Sequence, residues 1–224
     1  MLNDQKTVTD MLPEGLSLEM TEDGLSLLGD GLFLTADLSE MIPRIKKGVL
    51  GKELLVKAAR IRGKEHPTVL DATAGFGQDS LLLSAAGFQV FLYEYDPVIS
   101  ALLADALFRA KDVPELSEAV SRMTLYKEDS ISAMKALSEA PDVIYLDPMF
   151  PKRNKSALIK KKFQLLQKLE KPCPDEEELL SAALLAHPHK IVIKRPLKGP
   201  FLAGRKPDYS LEGKAIRYDC IVLA

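Results

Sequence analysis

Asp147, Pro148 and Phe150 stand almost side by side in the stretch Asp142-Val-Ile-Tyr-Leu-Asp-Pro-Met-Phe-Pro151. Together they supply one carboxylate, one peptide carbonyl on a residue without an N–H, and one aromatic ring. A carboxylate and a carbonyl can both accept from an NH2 group, while a ring stacks on a planar base. The chemistry that such a trio suits is methylation of an exocyclic amine on a nucleobase. The preceding apolar run, Val143 to Leu146, reads as a buried parallel strand. It must stop at Asp147-Pro148, since proline removes a ladder donor and keeps the residue before it out of a helix. The trio then lies beyond the carboxyl end of a strand, where open α/β sheets bind ligands.

A second group of residues could hold the other reactant. Asp71-Ala-Thr-Ala-Gly-Phe-Gly-Gln-Asp79 is a glycine turn between a strand and a helix. Gly75 and Gly77 allow close backbone approach, and the helix that follows offers unpaired N–H groups. Two nucleotide cofactors compete for such a turn. A dinucleotide asks for G-x-G-x-x-G and rests its pyrophosphate on the helix start. Here Ser80 takes the third glycine position, and Asp79 puts negative charge where the pyrophosphate would lie. S-adenosylmethionine carries no phosphate, and its sulfonium and ammonium groups suit Asp71, Asp79 and Asp147. Glu94, closing the next strand, is placed to accept from ribose hydroxyls with either cofactor. Asp129-Ser130, after the third strand, can reach the adenine side; as a pair they also make an ordinary helix N-cap. The acids favour S-adenosylmethionine.

These groups need a βαβ frame to hold them. Thr68–Leu70, Gln89–Tyr93, Met123–Tyr126, Val143–Leu146 and Lys190–Lys194 read as successive strands, with a terminal strand over Ala215–Leu223. Helices are expected over 79–87, 98–110, from Asp129-Ser130 to Leu137, 156–169 and 175–186, with Pro97 and Asp175 as start signals. Ahead of them, Leu50, Leu54, Leu55, Ala58 and Ile61 predict a helix from about 51 to 62. Residues 16–35 alternate apolar and polar around Asp23-Gly24 and Asp30-Gly31, which predicts a small antiparallel meander that must pack on something larger. The expected fold is a Rossmann-like α/β domain with a mostly parallel seven-stranded sheet. Residues 1–43 form a β appendage and 44–224 the main domain.

A net charge of -2 and a pI near 6.0 do not announce a nucleic-acid binder. The distribution does. Basic residues gather in 44–64, in 152–171 and in 190–206, and acids gather elsewhere, a segregation that can make a basic face on a neutral protein. Lys152, Arg153 and Lys155, just past the trio, and Lys194 and Arg195, ending the fifth strand, are the candidates for holding RNA phosphates; Lys160–Lys162 extend the same run. Cys173 and Cys220 have no metal-ligand spacing, and His187-Pro-His189 has no third ligand nearby, so no metal is expected. No run of about 18 apolar residues exists and the start of the chain has no signal-peptide core, which points to a soluble, cytoplasmic protein with no membrane partner.

The glycine turn, the strand-end Tyr-Leu-Asp-Pro-Met-Phe-Pro, Lys155-Ser-Ala-Leu158 and Val192-Ile-Lys-Arg-Pro196 together resemble the ribosomal RNA small-subunit methyltransferase J family. The resemblance runs from about residue 25 to the C-terminus. It implies a class I methyltransferase that uses S-adenosylmethionine to methylate N2 of a guanine near the 3′ end of 16S rRNA, with rRNA or the small ribosomal subunit as partner. Matched by motif, the family's cofactor contacts fall on Gln78 and Asp79, Glu94 and Tyr95, Asp129 and Ser130, and Asp147. Several members carry Arg-Asp in place of Gln78-Asp79 and Glu-Arg in place of Glu94-Tyr95.

In this reading Asp147 and the Pro148 carbonyl accept from the guanine amine and aim its lone pair at the sulfonium methyl, and Phe150 stacks on the base. Two rivals remain at this point. One is an amine methyltransferase acting on DNA or another RNA; the other is a non-catalytic nucleic-acid-binding α/β module. An NAD-dependent enzyme is disfavoured by Ser80 and Asp79.

Overall fold

A computed structural model describes residues 12–148, 165 and 175–223. The main sheet has seven strands in the order β6-β5-β4-β7-β8-β10-β9. They are β4 (Thr68–Asp71), β5 (Gln89–Tyr93), β6 (Met123–Tyr126), β7 (Val143–Leu146), β8 (Lys190–Pro196), β9 (Tyr209–Glu212) and β10 (Ile216–Val222). Strands β6, β5, β4, β7 and β8 run parallel to one another. Strand β10 is inserted antiparallel to both β8 and β9.

The parallel strands are apolar on both faces because helices cover both. In β7, Val143 and Tyr145 belong to one hydrophobic cluster while Ile144 and Leu146 belong to the other, the two-residue alternation of a pleated strand. Helices α2 (Leu54–Ala59), α3 (Gln78–Ala85), α4 (Pro97–Ala110) and α5 (Pro114–Ser121) pack with the first cluster. Helices α6 (Ser130–Lys135) and α7 (Glu176–Leu185) close the second. Leu165, expected to be helical, is helical and fully buried in the first cluster. The rest of the 156–169 helix expectation lies outside the described residues.

The N-terminal meander forms as expected, as β1 (Leu16–Thr21), β2 (Gly24–Gly29) and β3 (Leu32–Thr35). Its Leu25, Leu27 and Leu34 share a core with Leu102 and Leu103 of α4. Asp105 of α4 accepts the Leu25 N–H at 3.0 Å, and Arg109 donates to the Ala36 carbonyl. The meander therefore buries its apolar face on the main domain.

The single helix expected over 51–62 is broken. A short helix α1 (Ile42–Ile45) precedes a 3-10 turn at Leu50–Lys52, and Glu53 is extended before α2 begins. Arg44 explains the break, since its guanidinium grips both Glu53 oxygens at 2.9 and 2.7 Å. At the other end Lys190 donates to the carbonyls of Ala58 and Arg60, capping α2 early. Strand β9 and helix α5 had no counterpart among the predicted elements.

Candidate active site

The chain builds β4, β5 and β6 outward in one direction and then returns to lay β7 and β8 on the other side of β4. The crevice beyond the carboxyl ends of β4 and β7 is thus the topological switch point where such sheets take ligands. Two segments enter it: the glycine turn after β4 and Asp147-Pro148 after β7.

The turn is held by the sheet itself. The Ala72 N–H donates to the Tyr145 carbonyl, Ala74 N–H to the Tyr93 carbonyl and Gly77 N–H to the Ala74 carbonyl. Gly75 and Gly77 take φ of 53° and 73°, the left-handed region open to residues without Cβ. Glu94, at the end of β5, accepts the N–H of Gly75 at 3.0 Å on one oxygen and that of Asp96 at 2.9 Å on the other. These two bonds fix the orientation of the Glu94 carboxylate at the rim of the turn.

Asp71 differs from the expectation. It is 1% exposed, lies under the turn, and accepts from Ser80 Oγ and from the Thr73 N–H. Burial pushes its carboxyl up to about 7, against the pull of those two hydrogen bonds. Asp71 therefore fastens the strand end to the start of α3 from inside, and Ser80 at the third glycine position is its partner.

Asp79 and Asp147 do converge. Lys194 of β8 donates to Asp79 Oδ2 at 2.6 Å and to Asp147 Oδ2 at 2.8 Å. The Tyr145 hydroxyl donates to the same Asp79 oxygen at 2.6 Å. The Asp147 N–H donates to Thr73 Oγ1 at 2.7 Å, which ties the end of β7 to the glycine turn. Burial opposes the charge on Lys194, but Asp79 and Asp147 outweigh it and hold the ammonium well above its ordinary range. Burial, with Asp79 next, raises the Tyr145 and Tyr218 hydroxyls far enough that both stay neutral.

Lys194 and Arg195 do not form an RNA-facing pair. Successive residues of a strand point to opposite faces. Lys194 turns into the cleft, whereas Arg195 is fully buried on the other face, donating to the Pro200 carbonyl and pairing with Glu176 at 3.1 Å. Arg195 is a structural residue that binds the start of α7 to the loop after β8.

The remaining candidates fall as follows. Gln78 and Tyr95 are exposed on the rim, and Pro148 is buried. Asp129 caps α6 by accepting the Ser132 N–H at 2.8 Å, and Ser130 is buried beside it. Phe150, Lys152, Arg153 and Lys155 lie outside the described residues. Sequence reading passed over Thr73, Tyr145 and Tyr218. Their partners are far along the chain, and only the β4–β7–β8–β10 neighbourhood brings them together.

The strand order, the inserted antiparallel β10, the glycine turn and the acid ending β5 define a class I S-adenosylmethionine-dependent methyltransferase. The family described as "Putative SAM-dependent methyltransferase" matches residues 4–223. Relatives named ribosomal RNA small subunit methyltransferase J include one from Pseudomonas aeruginosa, 46% identical over 79% of this chain and 68% of its own length. Another, from Nitrosococcus oceani, is 43% identical over 86% of this chain and 76% of that protein. The crystal structure of a SAM-dependent methyltransferase from Neisseria gonorrhoeae superposes with a TM-score of 0.76 at 31% identity, over 97% of this chain and 90% of that one. The chain belongs to the ribosomal RNA small subunit methyltransferase J family.

The donor set fits the family's cofactor. Asp79 and Asp147 bring two carboxylates to the crevice, groups that suit the sulfonium and ammonium of that ligand. A pyrophosphate would meet Asp79 in the first turn of α3.

Proposed function

We propose that this protein methylates the exocyclic N2 amine of a guanine in 16S rRNA, as free rRNA or within the small ribosomal subunit, in the cytoplasm. Residues 1–43 act as a packing appendage to the catalytic unit 44–224. The observation that carries the reading is Asp147. It sits at the carboxyl end of β7, is tied to the glycine turn through Thr73, and lies across the switch-point crevice from Glu94.

S-adenosylmethionine bound in that crevice supplies an electrophilic methyl group on a positively charged sulfur. Gly75, Gly77, Gln78 and Asp79 form the turn against which it lies; Glu94 and Tyr95 take the ribose side, and Asp129 and Ser130 the adenine side. The guanine amine is a weak nucleophile because its lone pair is delocalised into the ring. Asp147 and the Pro148 carbonyl accept its two N–H bonds and so turn the lone pair toward the crevice. Phe150 stacks on the base, a contact that in single-strand binding is worth about 1–3 kcal/mol. Most of the acceleration is positioning, for which well-placed groups supply about 7–11 kcal/mol. The target base has to be unstacked before it enters.

Lys152, Arg153 and Lys155 follow the site in sequence, and their charges suit the neighbouring phosphates. The experiment is methyl mapping of rRNA from cells with and without the gene, complemented by wild type or by Asp147→Ala. Wild type restores one guanine N2 methyl and the variant does not. A methyl group that persists without the gene, or returns with the variant, rules the reading out.

A further inference from the structure

A lysine at the mouth of an RNA-modifying cleft is expected to reach for phosphate, and Lys194 does not. Its side chain is 19% exposed and its ammonium lies between two carboxylates, 2.6 Å from one and 2.8 Å from the other. Three elements meet at that nitrogen: α3 brings Asp79, the end of β7 brings Asp147 and β8 brings the lysine. Asp79 belongs to the cofactor side of the crevice and Asp147 to the base side.

We propose that Lys194 is a positioning residue for methyl transfer: it clamps the Asp147 carboxylate to Asp79, fixes the acceptor that grips the target amine, and keeps that acceptor ionised. The inference rests on the functional reading above and extends it by a residue and a role.

The charges around the clamp decide what happens without it. Two carboxylates within hydrogen-bond reach of one nitrogen repel each other, and a like charge at that range raises one of their pKa values. Among the described residues, the other groups facing them do not replace the ammonium. Asp71 lies beneath and is acidic; Tyr145 and Tyr218 are neutral hydroxyls on β7 and β10. Arg44 of α1 faces Asp79 and Tyr218 but has its guanidinium on Glu53. Among the described residues, Lys194 is the cation bonded to both acids.

A consequence for the proton follows. A carboxylate held by an ammonium is a good hydrogen-bond acceptor and a poor base. Asp147 therefore orients the amine, and the proton that the amine gives up goes to water.

The test compares wild type, Lys194→Met and Lys194→Arg as full chains on small ribosomal subunits lacking the methyl group. Methyl incorporation from labelled S-adenosylmethionine gives kcat and KM from pH 5 to 9, and thermal melting reports folding. Lys194→Met should lose about 100-fold in kcat, the scale of an ångström-level misplacement, with KM for the subunit changed less than about threefold. Its acid limb in kcat should move up by about one pH unit or more, as the unclamped carboxylates share a proton. Lys194→Arg should restore the wild-type limb and most of the rate. A Met variant with wild-type kcat, or with a lowered kcat on an unmoved acid limb, overturns the inference. Should the Met variant melt far below wild type, Lys194→Arg decides alone: a limb at the wild-type pH supports the clamp and a displaced one refutes it. A wild-type protein that transfers no methyl group to rRNA overturns the functional reading and this inference with it. An active wild type beside an unshifted Met variant overturns only the inference.

Discussion

Thr73 Oγ1 accepts the backbone N–H of Asp147 at 2.7 Å, so the cofactor turn and the base-gripping strand end are joined by one hydrogen bond between residues 74 apart in sequence. The two halves of the crevice are thereby held at a fixed spacing. Thr73→Val keeps the shape and removes the acceptor, leaving the Asp147 N–H unpaired. An unsatisfied buried donor costs about 1–3 kcal/mol. We expect kcat to fall about tenfold, with S-adenosylhomocysteine affinity within threefold of wild type by calorimetry. Equal losses in both would place Thr73 in cofactor binding instead.

Gly77 is the residue on which the turn depends sterically. Its φ is 73°, and a Cβ built there would come within 2.8 Å of Leu103 Cδ1 in α4. Left-handed backbone costs a non-glycine residue roughly 1–2 kcal/mol, and the displaced Leu103 adds to it. Gly77→Ala should therefore lower the melting temperature and weaken S-adenosylmethionine binding together. Gly75, at φ 53° with open space where a Cβ would project, is the control: Gly75→Ala should show backbone strain without displacing a neighbour.

A cationic rim runs along the carboxyl edge of the sheet beside the cleft. Strand β10 starts at Ile216 opposite Pro196, so the β9–β10 hairpin tip lies at the edge where β8 ends. The Leu197 N–H donates to the Ala215 carbonyl at 3.0 Å, bringing Lys198 and Lys214 near one another. Gly213 abuts Leu54, next to Glu53 and its partner Arg44, after which Lys46 and Lys47 are exposed. Glu212 is the exposed acid nearby. The variant Lys46→Ala/Lys47→Ala/Lys198→Ala/Lys214→Ala should weaken RNA binding, and the slope of log K against log salt should flatten by about 0.7–0.9 for each phosphate that is no longer neutralised. An unchanged slope would place the RNA elsewhere.

The parallel core was legible in the sequence because most strands there are short apolar runs ended by an acid or a proline, as at Leu70-Asp71, Tyr93-Glu94 and Leu146-Asp147-Pro148. Helix α5 was passed over although Pro114 marks its first turn, because its eight residues sit in an acidic stretch with a narrow apolar face. Strand β9 is an edge strand of four partly exposed residues with little alternation to read. At the site, local motifs singled out Asp79, Glu94 and Asp147, which lie around the carboxyl ends of β4, β5 and β7. The errors were of another kind. Whether Lys194 and Arg195 point at solvent, cleft or core depends on which face of β8 each takes and on what packs there. Asp71 was misjudged for the same reason, since only the packed turn shows that its carboxylate faces inward. Such facts belong to tertiary packing, and spacing along the chain does not contain them.

Asp71 also makes stability depend on pH in a direction opposite to that of an ordinary salt-bridged acid. Its carboxyl is raised from 3.8 to about 7 by burial. Between those values the unfolded chain has released the proton that the folded chain keeps, so folding takes up a proton and stability falls as pH rises. The penalty is absent below the unfolded value and complete above the folded one, on the order of a few kcal/mol at most. Asp142 acts in the other direction. Burial works against its charge, but hydrogen bonds from Lys64 and Thr68 outweigh this and hold its carboxyl below the usual range. That contribution is present above the unfolded value and is lost as pH falls through the folded one, so the two acids separate by pH window. Urea unfolding between pH 4 and 8 should show wild type losing stability toward pH 8. Asp71→Asn keeps the Thr73 N–H on its Oδ1 and turns its NH2 to the Ser80 hydroxyl, which accepts as well as donates, so it should be no more stable than wild type at pH 4. As it carries no charge, its curve should be flatter over the interval, and the gap to wild type should narrow or reverse by pH 8. Parallel curves for the two proteins would mean that Asp71 is ionised in the folded state throughout, and that the Ser80 hydroxyl and the Thr73 N–H suffice to hold its charge.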